Sequence, residues 1–458
     1  MSLFSALQSG ASGLFSASRG LDVTAHNVAN ANTPGFTRRS VALGTANPIQ
    51  NGSMWIGQGV EMQGVLRPND SLLGVRTLTT AGATASAMTL HQELSNVEHW
   101  FDESMSQGPR LAMSAFFDAL GDATLDPSDP SSRTAVLHAA ANLSATISDT
   151  TQGLTQSQSD LSERMESALP AINQVLEEVA SLNEQIANAG GSLSAGDLAD
   201  QRDLLLRQLS EEVGTTVSFN ASGEATVFLS GHALVEGGHA NKLSFSQTEA
   251  GEPRLGVDIG ENSTMDITDA LGGRLGGFRD ARATIGSYID DLNEFTTSFA
   301  TSINDTLGAG YDLNGNPGEP LFAWDPANPG ASLTLNETIE GQPDMLAFAS
   351  SADAEAGDAG NLEALIAVEE NATVGGRPPG EFLSSLTNRV GMDVATAASN
   401  ADRNAASLGD MDAISQSLRG VDMDQEAMHL MEWQTAYQAA AKVLEVVDES
   451  IGVLMELP

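Results

Sequence analysis

Near the C-terminal end of the chain, apolar residues alternate spacings of three and four without a break, through Leu430, Trp433, Tyr437, Ala440, Leu444, Val447, Ile451 and Leu454. That spacing lays a narrow stripe along a helix, and a narrow stripe packs along another helix rather than over a broad globular face. The N-terminal end repeats the pattern through Leu3, Leu7, Gly10, Leu14, Ala17, Leu21, Thr24 and Val28. Most of its other positions are Ser, Ala, Gln or Asn, and a helix so rich in Gly and Ser is marginal alone in water. Two seams at opposite ends predict that the ends pair as a coiled-coil-like axial domain. The alternative is that each end packs separately on the middle of the protein. Gly420 separates the C-terminal helix from what precedes it, and Asp422, Asp424 and Glu426 suit its positive N-terminal end. The seam runs almost to Pro458, so this end is expected to be packed in the working state.

Between residues 31 and 78 the helical period stops. Asn32-Thr33-Pro34-Gly35 reads as a turn, with Pro fixing φ and Gly free to take positive φ. Gly52, Gly57, Gly59 and Gly64 then break the chain, with short extended pieces around Val60, Met62 and Val65. From about residue 80 to 213 the chain reads as helical. Leu161, Met165, Ala168, Ile172, Val175, Val179, Leu182 and Ile186 form one long seam, with a kink or restart expected at Pro170. Asp126-Pro127-Ser128-Asp129-Pro130 is a break. Gly190-Gly191 ends the long helix, and Asp197 is expected to cap the next, which runs through Asp200, Arg202, Leu205 and Leu209. Residues 214–262 change to a two-residue period: Val217 and Phe219, the Asn220-Ala221-Ser222-Gly223 turn, then Leu255, Val257 and Ile259. Helix returns through Ile285, Ile289, Leu292, Phe295, Phe299 and Ile303. Residues 308–335 read as a long loop, Gly375 to Gly380 as a linker, and 381–418 as helix.

The fold class expected is therefore mainly α with a small β part: elongated, with paired terminal helices, a long-helix bundle domain and a small inserted β region. The expected division is 1–35 and 420–458 for the terminal helices, 36–213, 263–320 and 381–419 for the bundle, 214–262 for the β region, and 321–380 for a loop-like segment, which the resemblance given below implies is a reduced outer part. A length of 458 residues suits two or three domains, and an aromatic content of 5% suits long helices with narrow seams better than one bulky core.

The formal net charge of −41 repels phosphate backbones, so nucleic acid is excluded as a partner. Lysine occurs only at Lys242 and Lys442, which leaves no basic patch for a membrane surface. The acid is uneven: in residues 1–100, Arg19, Arg38, Arg39, Arg67 and Arg76 balance Asp22, Glu61, Asp70, Glu93 and Glu98. The absence of cysteine removes disulfides, Cys-type zinc sites and thiol catalysis. The opening MSLFSALQSGASGLFSASRG lacks the basic region and unbroken apolar run of a secretory signal. Export, if it occurs, needs another route.

No catalytic, cofactor-binding or metal-ligating set emerges. His26, His91, His99, His138, His232, His239 and His429 are scattered, and no nucleophile-elbow or phosphate-loop sequence occurs. Asp312-Leu313-Asn314-Gly315-Asn316 is like the start of a calcium loop, but Gly stands fourth rather than sixth and Ala323 occupies the twelfth position. An Asx-rich turn is the expectation there.

His26-Asn27-Val28-Ala29-Asn30-Ala31-Asn32-Thr33-Pro34-Gly35-Phe36-Thr37-Arg38 resembles the N-terminal signature of bacterial flagellar rod, hook and hook-associated proteins. Val421 to Glu426 and Gln434 to Ala439 resemble the matching tail. Within that axial group, Asp129-Pro130-Ser131-Ser132-Arg133, Leu182 to Ile186, Leu198 to Asp203, Gly273 to Gly277 and Gly310 to Gly315 resemble the hook-associated protein 1 family of the hook–filament junction. Larger members carry an outer β domain for which residues 321–370 leave little room. The resemblance implies a non-enzymatic extracellular component of the flagellum, exported through the flagellar type III channel without a cleaved signal peptide. It implies partners in copies of itself arranged as a ring, hook protein, a second junction protein (hook-associated protein 3) and an export chaperone. Implied assembly residues are Leu3, Leu7, Leu14, Leu21 and Val28 on the first helix. The signature turn comprises Asn27, Asn30, Asn32, Thr33, Pro34, Gly35 and Phe36. Leu430, Trp433, Tyr437, Leu444, Val447, Ile451 and Leu454 on the last helix serve assembly or the chaperone. The alternatives are another axial protein (a hook or distal-rod subunit), a secreted cell-wall hydrolase, and a coiled-coil oligomer unrelated to flagella, which leaves the turn signature unexplained.

Overall fold

The computed structural model describes residues 3–51, 54–101, 108–189, 193–220, 223–249, 251–258, 263–355 and 357–455; Gly52, Gly190, Gly191, Ala221, Ser222, Ile259 and Pro458 lie outside them. Helix α1 (Leu3–Ala29) leads into strands β1 (Ser40–Thr45), β2 (Ile49–Asn51), β3 (Met54–Ile56) and β4 (Val60–Leu66). Helices α2 (Ser71–Glu98), α3 (Pro109–Ala123), α4 (Pro130–Ala189) and α5 (Leu193–Val213) follow. Strands β5 (Thr216–Phe219), β6 (Ala225–Leu229), β7 (His232–Glu236), β8 (His239–Ala240), β9 (Leu243–Gln247), β10 (Pro253–Asp258) and β11 (Thr264–Asp266) then precede α6 (Gly273–Gly308). The chain closes with β12 (Phe322–Ala323), α7 (Pro329–Ser332), β13 (Thr334–Leu335), α8 (Gly360–Ala367), α9 (Pro379–Arg419) and α10 (Met423–Met455).

The mainly helical class with small β parts is as expected. Several details differ from the sequence reading. Helix α4 continues through Pro170 with no restart, and α6 begins at Gly273, well before Ile285. Helix α5 already starts at Leu193, so Asp197 is interior and caps nothing. The segment read as a linker at 375–380 is a tight turn closed by the Val374–Arg377 bridge, with Val374 buried.

The chain divides into two compact units. Unit 1 comprises 1–84, 169–273 and 404–458; unit 2 comprises 85–168 and 274–403. Residues 36–213 therefore contribute to both units, and 321–380 is part of unit 2.

In unit 1, β1 pairs antiparallel with β4, from Ser40 opposite Leu66 to Thr45 opposite Val60, with a bulge after Ala42. Strands β2 and β3 form a second hairpin beyond it, with Gln50 opposite Trp55. The order β5-β6-β7-β8 makes a four-stranded sheet and β11-β10-β9 a three-stranded one. Their inward residues Val217, Val227, Leu229, Leu255 and Val257 are buried, as are Ile172, Val179, Leu206 and Leu209 of α4 and α5. Asn183 of α4 is fully buried: its amide donates to Ala225 O (2.8 Å) and Gly237 O (3.0 Å) and accepts from Ala225 N (2.9 Å). One side chain thus satisfies the backbone where helix meets sheet. Arg202 donates to Gly223 O at 2.5 Å and lies over the Phe219 ring.

Unit 2 is built on aromatics. Phe116, Phe117, Phe295, Phe299, Phe322 and Phe382 form one chain of ring contacts. Asp129 caps α4 through Ser132 N at 2.9 Å. Buried Arg133 donates to the carbonyls of Pro127 (2.6 Å), Pro343 (3.1 Å) and Leu346 (2.8 Å), joining the helix start to the 343–346 turn. The Asx turn forms as expected: Asp312 Oδ1 accepts from Asn314 N and Asn316 N, both at 2.8 Å. Burial of the Asp312 carboxyl works against its ionised form, but the bonds from Asn316 and Asn314 outweigh it and hold the group below the usual carboxylate range.

Candidate functional site at the paired chain ends

Helices α1 and α10 run antiparallel along each other within unit 1. A Cβ on Gly10 would meet Leu444 Cδ2 at 3.0 Å, one on Gly13 would meet Ala440 Cβ at 3.6 Å, and one on Gly20 would meet the Trp433 ring at 2.2 Å. Partners descend on α10 as they ascend on α1, which sets both direction and register. The contact is close because its α1 side is made of small residues: Gly10, Ser16, Ala17, Gly20, Val23, Thr24 and Asn27 are the buried positions. Gly20 leaves the space that the indole of Trp433 fills.

The seam leucines flank this face. Leu3, Leu7, Leu14 and Leu21 are half-buried and Val28 is exposed. On α10, Val447 is buried and Leu430, Trp433 and Leu444 are half-buried, whereas Tyr437, Ile451 and Leu454 are exposed. Phe4 (80% exposed) and Phe15 (55%) of α1, with Met428, Met431, Val443, Val446 and Val453 of α10, face outward. The pair therefore leaves much of its apolar surface uncovered.

At the base of the pair lies the signature segment. Phe36 N donates to Thr33 O at 3.2 Å and Gly35 has φ +78°, the pattern of a turn with Pro first and Gly second in its centre. A side chain at position 35 would be strained there. Asn30 Nδ2 donates to His26 O (3.0 Å), and Thr33 Oγ1 donates to Asn30 Oδ1 (3.2 Å). Asn32, Thr33, Pro34 and Gly35 are exposed, and Phe36 is half-buried against the His26 ring.

Asn27 is the keystone. It is buried, donates to Arg39 O (2.8 Å) and Glu426 Oε2 (3.0 Å), and accepts from Arg39 N (2.9 Å). Glu426, 1% exposed, also accepts from Arg38 Nε at 2.6 Å. The start of α10 is thus held to the end of α1 by a buried carboxylate whose charge is matched. Asp422 caps α10 through Asp424 N (2.9 Å), so the helix begins where Glu426 can turn inward.

A second ionic layer ties the segment to α5. Buried Arg39 pairs with Asp197 and with Asp200 (2.7 Å), and His26 Nε2 lies 2.7 Å from Arg39 Nη1. Arg67 bridges Asp200 (2.8 Å) and Asp203 (2.6 Å). Burial alone would weaken the Arg67 charge, but Asp203 and Asp200 outweigh it and hold the guanidinium above its ordinary value. Thr37 N donates to Asp200 Oδ2 at 3.2 Å. Removing one member of so buried an array leaves an unpaired charge, which is costly.

Arg39, Arg67, Asp197, Asp200, Asp203 and Glu426 were not legible as one cluster. The available signal was that five arginines leave the first 100 residues without net charge in so acidic a chain, while Leu198 to Asp203 carries two aspartates. Beside the cluster opens a groove of about 460 Å³, lined by Gly35, Phe36, Leu78, Leu204, Asp412 and Arg419 among others. Within its rim Arg207 makes a bidentate pair with Asp412, both bonds at 2.9 Å.

Both chain ends belong to one helical pair, the class of fold in which the termini pack along each other. Comparison with known proteins narrows the class. Residues 94–322 match the flagellar hook-associated protein FlgK helical domain, 7–37 the flagella basal body rod protein family, and 417–457 the C-terminal region of the flagellar basal body rod FlgEFG family. Flagellar hook-associated protein 1 of Escherichia coli (strain K12) is 24% identical over 97% of this chain and 98% of that protein. Its counterpart in Bacillus subtilis (strain 168) is 26% identical over 98% and 97%. The solved flagellar hook junction protein FlgK of Burkholderia pseudomallei shares the fold, with a TM-score of 0.67 at 16% identity over 75% of this chain and 100% of that one. The chain belongs to the flagellar hook-associated protein 1 (FlgK) family, structural proteins of the bacterial flagellum.

Proposed function

We propose that this chain forms the junction between hook and filament by self-assembly through its terminal helices. The observation that carries the reading is the antiparallel α1–α10 pair, closed at its base by Asn27 and Glu426 and still exposing Phe4, Phe15, Met431 and Val446. A helix pair that is ordered but incompletely covered is suited to pack into a tube of like pairs. Leu3, Leu7, Leu14, Leu21 and Val28 line one side of that assembly surface and Leu430, Trp433, Tyr437, Leu444, Val447, Ile451 and Leu454 the other. The turn from Asn27 to Phe36 sets the angle at which the chain leaves it.

In this reading the protein is not an enzyme. It is extracellular, sits in a ring of its own copies, and meets hook protein on one side and hook-associated protein 3 on the other. It reaches that place through the flagellar type III channel, with an export chaperone covering the last helix beforehand. The division into terminal axial helices, helical bundle, β region and reduced outer segment describes the parts such a subunit would use.

Gold-labelled antibody against the chain on isolated flagella tests the proposal. One labelled band at the boundary of hook and filament is expected. Label spread along the hook, or absent from flagella, would refute it.

A further inference from the structure

The β2–β3 hairpin is an unusual surface for so acidic a chain. Residues 40–60 contain no charged side chain, whereas the whole chain carries −41. Strands β2 and β3 form a two-stranded sheet of their own. The sheet presents Trp55 (66% exposed) and Ile49 (54%) to solvent. The other tryptophans, Trp100, Trp324 and Trp433, are each partly covered.

The position of the hairpin is as telling as its composition. Gln8 donates to Gln58 at 3.2 Å, and Val60 N donates to Ser12 Oγ at 3.3 Å. The connection from β3 to β4 therefore lies beside residues 8–12 of α1, near the N-terminal start of that helix. The groove beside Gly35, Phe36 and Leu204 lies past its other end. From residue 8 to residue 29 a helix rises about 30 Å. The connection beside residues 8–12 and the groove beside the turn that follows Ala29 thus lie toward opposite ends of α1.

We propose that the β2–β3 hairpin of one copy seats Trp55 in the Phe36–Leu204 groove of the next, a head-to-tail contact separate from the α1–α10 seam. The proposal rests on the self-assembling junction reading. A knob and a socket at opposite ends of one unit make a heterologous interface, which repeats around a ring or along a helix. A second copy is the favoured occupant on charge: like acidic subunits repel over most of their surface, and an uncharged knob approaches without that penalty. The socket suits it too. Leu78, Leu204, Phe36 and Phe219 supply apolar wall, and the carboxylate of Asp412 is already neutralised by Arg207, so an indole strands no charge.

The absence of native cysteine makes the test direct. Full-length Trp55→Cys and Leu204→Cys variants are co-expressed, flagella are isolated, and a short thiol-to-thiol cross-linker is applied. A cross-linked dimer is expected with the pair and not with either variant alone. Trp55→Cys with Leu125→Cys, which is 89% exposed on unit 2, should stay uncoupled. Trp55→Ala should lower the amount of chain retained in flagella by roughly tenfold, as loss of an aromatic anchor does. Flagella that carry both variants at the junction without cross-linking would overturn this contact alone. Absence of the chain from flagella, with the unsubstituted protein as well, would overturn the junction reading with it.

Discussion

In unit 2, Phe116, Phe295, Phe299 and Phe322 are fully buried against one another, whereas the α1–α10 pair of unit 1 meets through glycines, one indole and one buried carboxylate. The first arrangement fills its own core with large apolar side chains and needs no further cover. The second gains backbone proximity from Gly10, Gly13 and Gly20, gains specificity from Asn27, Arg38 and Glu426, and leaves Phe4 and Met431 outside. A region that is to be completed by neighbours benefits from a precise register and an unfinished surface. A region that must stand alone benefits from a finished core.

The largest expected effect lies in the finished core. Phe299→Ala should destabilise the protein by about 3–5 kcal/mol, measured by calorimetry. A loss below about 1 kcal/mol would mean that the ring cluster collapses onto the gap and that the contrast is overstated.

Glu426→Ala comes next. It strands Arg38 and the Asn27 amide, at a cost of about 3 kcal/mol. Hydrogen exchange should accelerate in α1 and α10 while α6 keeps its protection. Equal acceleration in α6 would show that the terminal pair is not the separately loosened element described above.

Gly20→Ala tests the close approach. The added methyl must displace the Trp433 ring, costing about 1–3 kcal/mol despite the better helix propensity of alanine. Trp433 fluorescence should report the displacement, and an unchanged spectrum with unchanged stability would argue against the register.

The smallest effect is at Asp312. Its carboxyl is held below the usual range, so its contribution is present above about pH 4 and fades as pH falls through the folded-state value. Asp312→Asn should lower stability at neutral pH by about 1 kcal/mol and flatten that acid limb. Parallel pH profiles for the two proteins would contradict the bonding described for this turn.

Features that depend on neighbours in the chain were legible beforehand. The Asx turn at Asp312 to Asn316, the break at Asp126 to Pro130, the break at Gly420 and the turn through Pro34 and Gly35 all arise within a few residues, and all are present. The pattern also located the pairing helices. It ranked their residues imperfectly, because leucine spacing marks the seam that periodicity favours. Burial in the actual contact goes to Gly10, Ala17, Gly20 and Asn27, whose small size lets the helices approach. The segment at 375–380 likewise read as a linker from composition alone, yet Val374 and Phe382 anchor it on either side.

What the sequence determined by itself is thus local: helical period, turn chemistry, and the family signature at each end. The tertiary structure alone decided which charges meet. Glu426 finds Asn27 and Arg38 from the far end of the chain, and Asp197, expected to cap a helix, instead pairs with Arg39. The physical reason is range. Backbone propensity and periodicity are properties of neighbouring residues, whereas a buried ion pair exists only after distant segments have been brought together and water has been removed from between them.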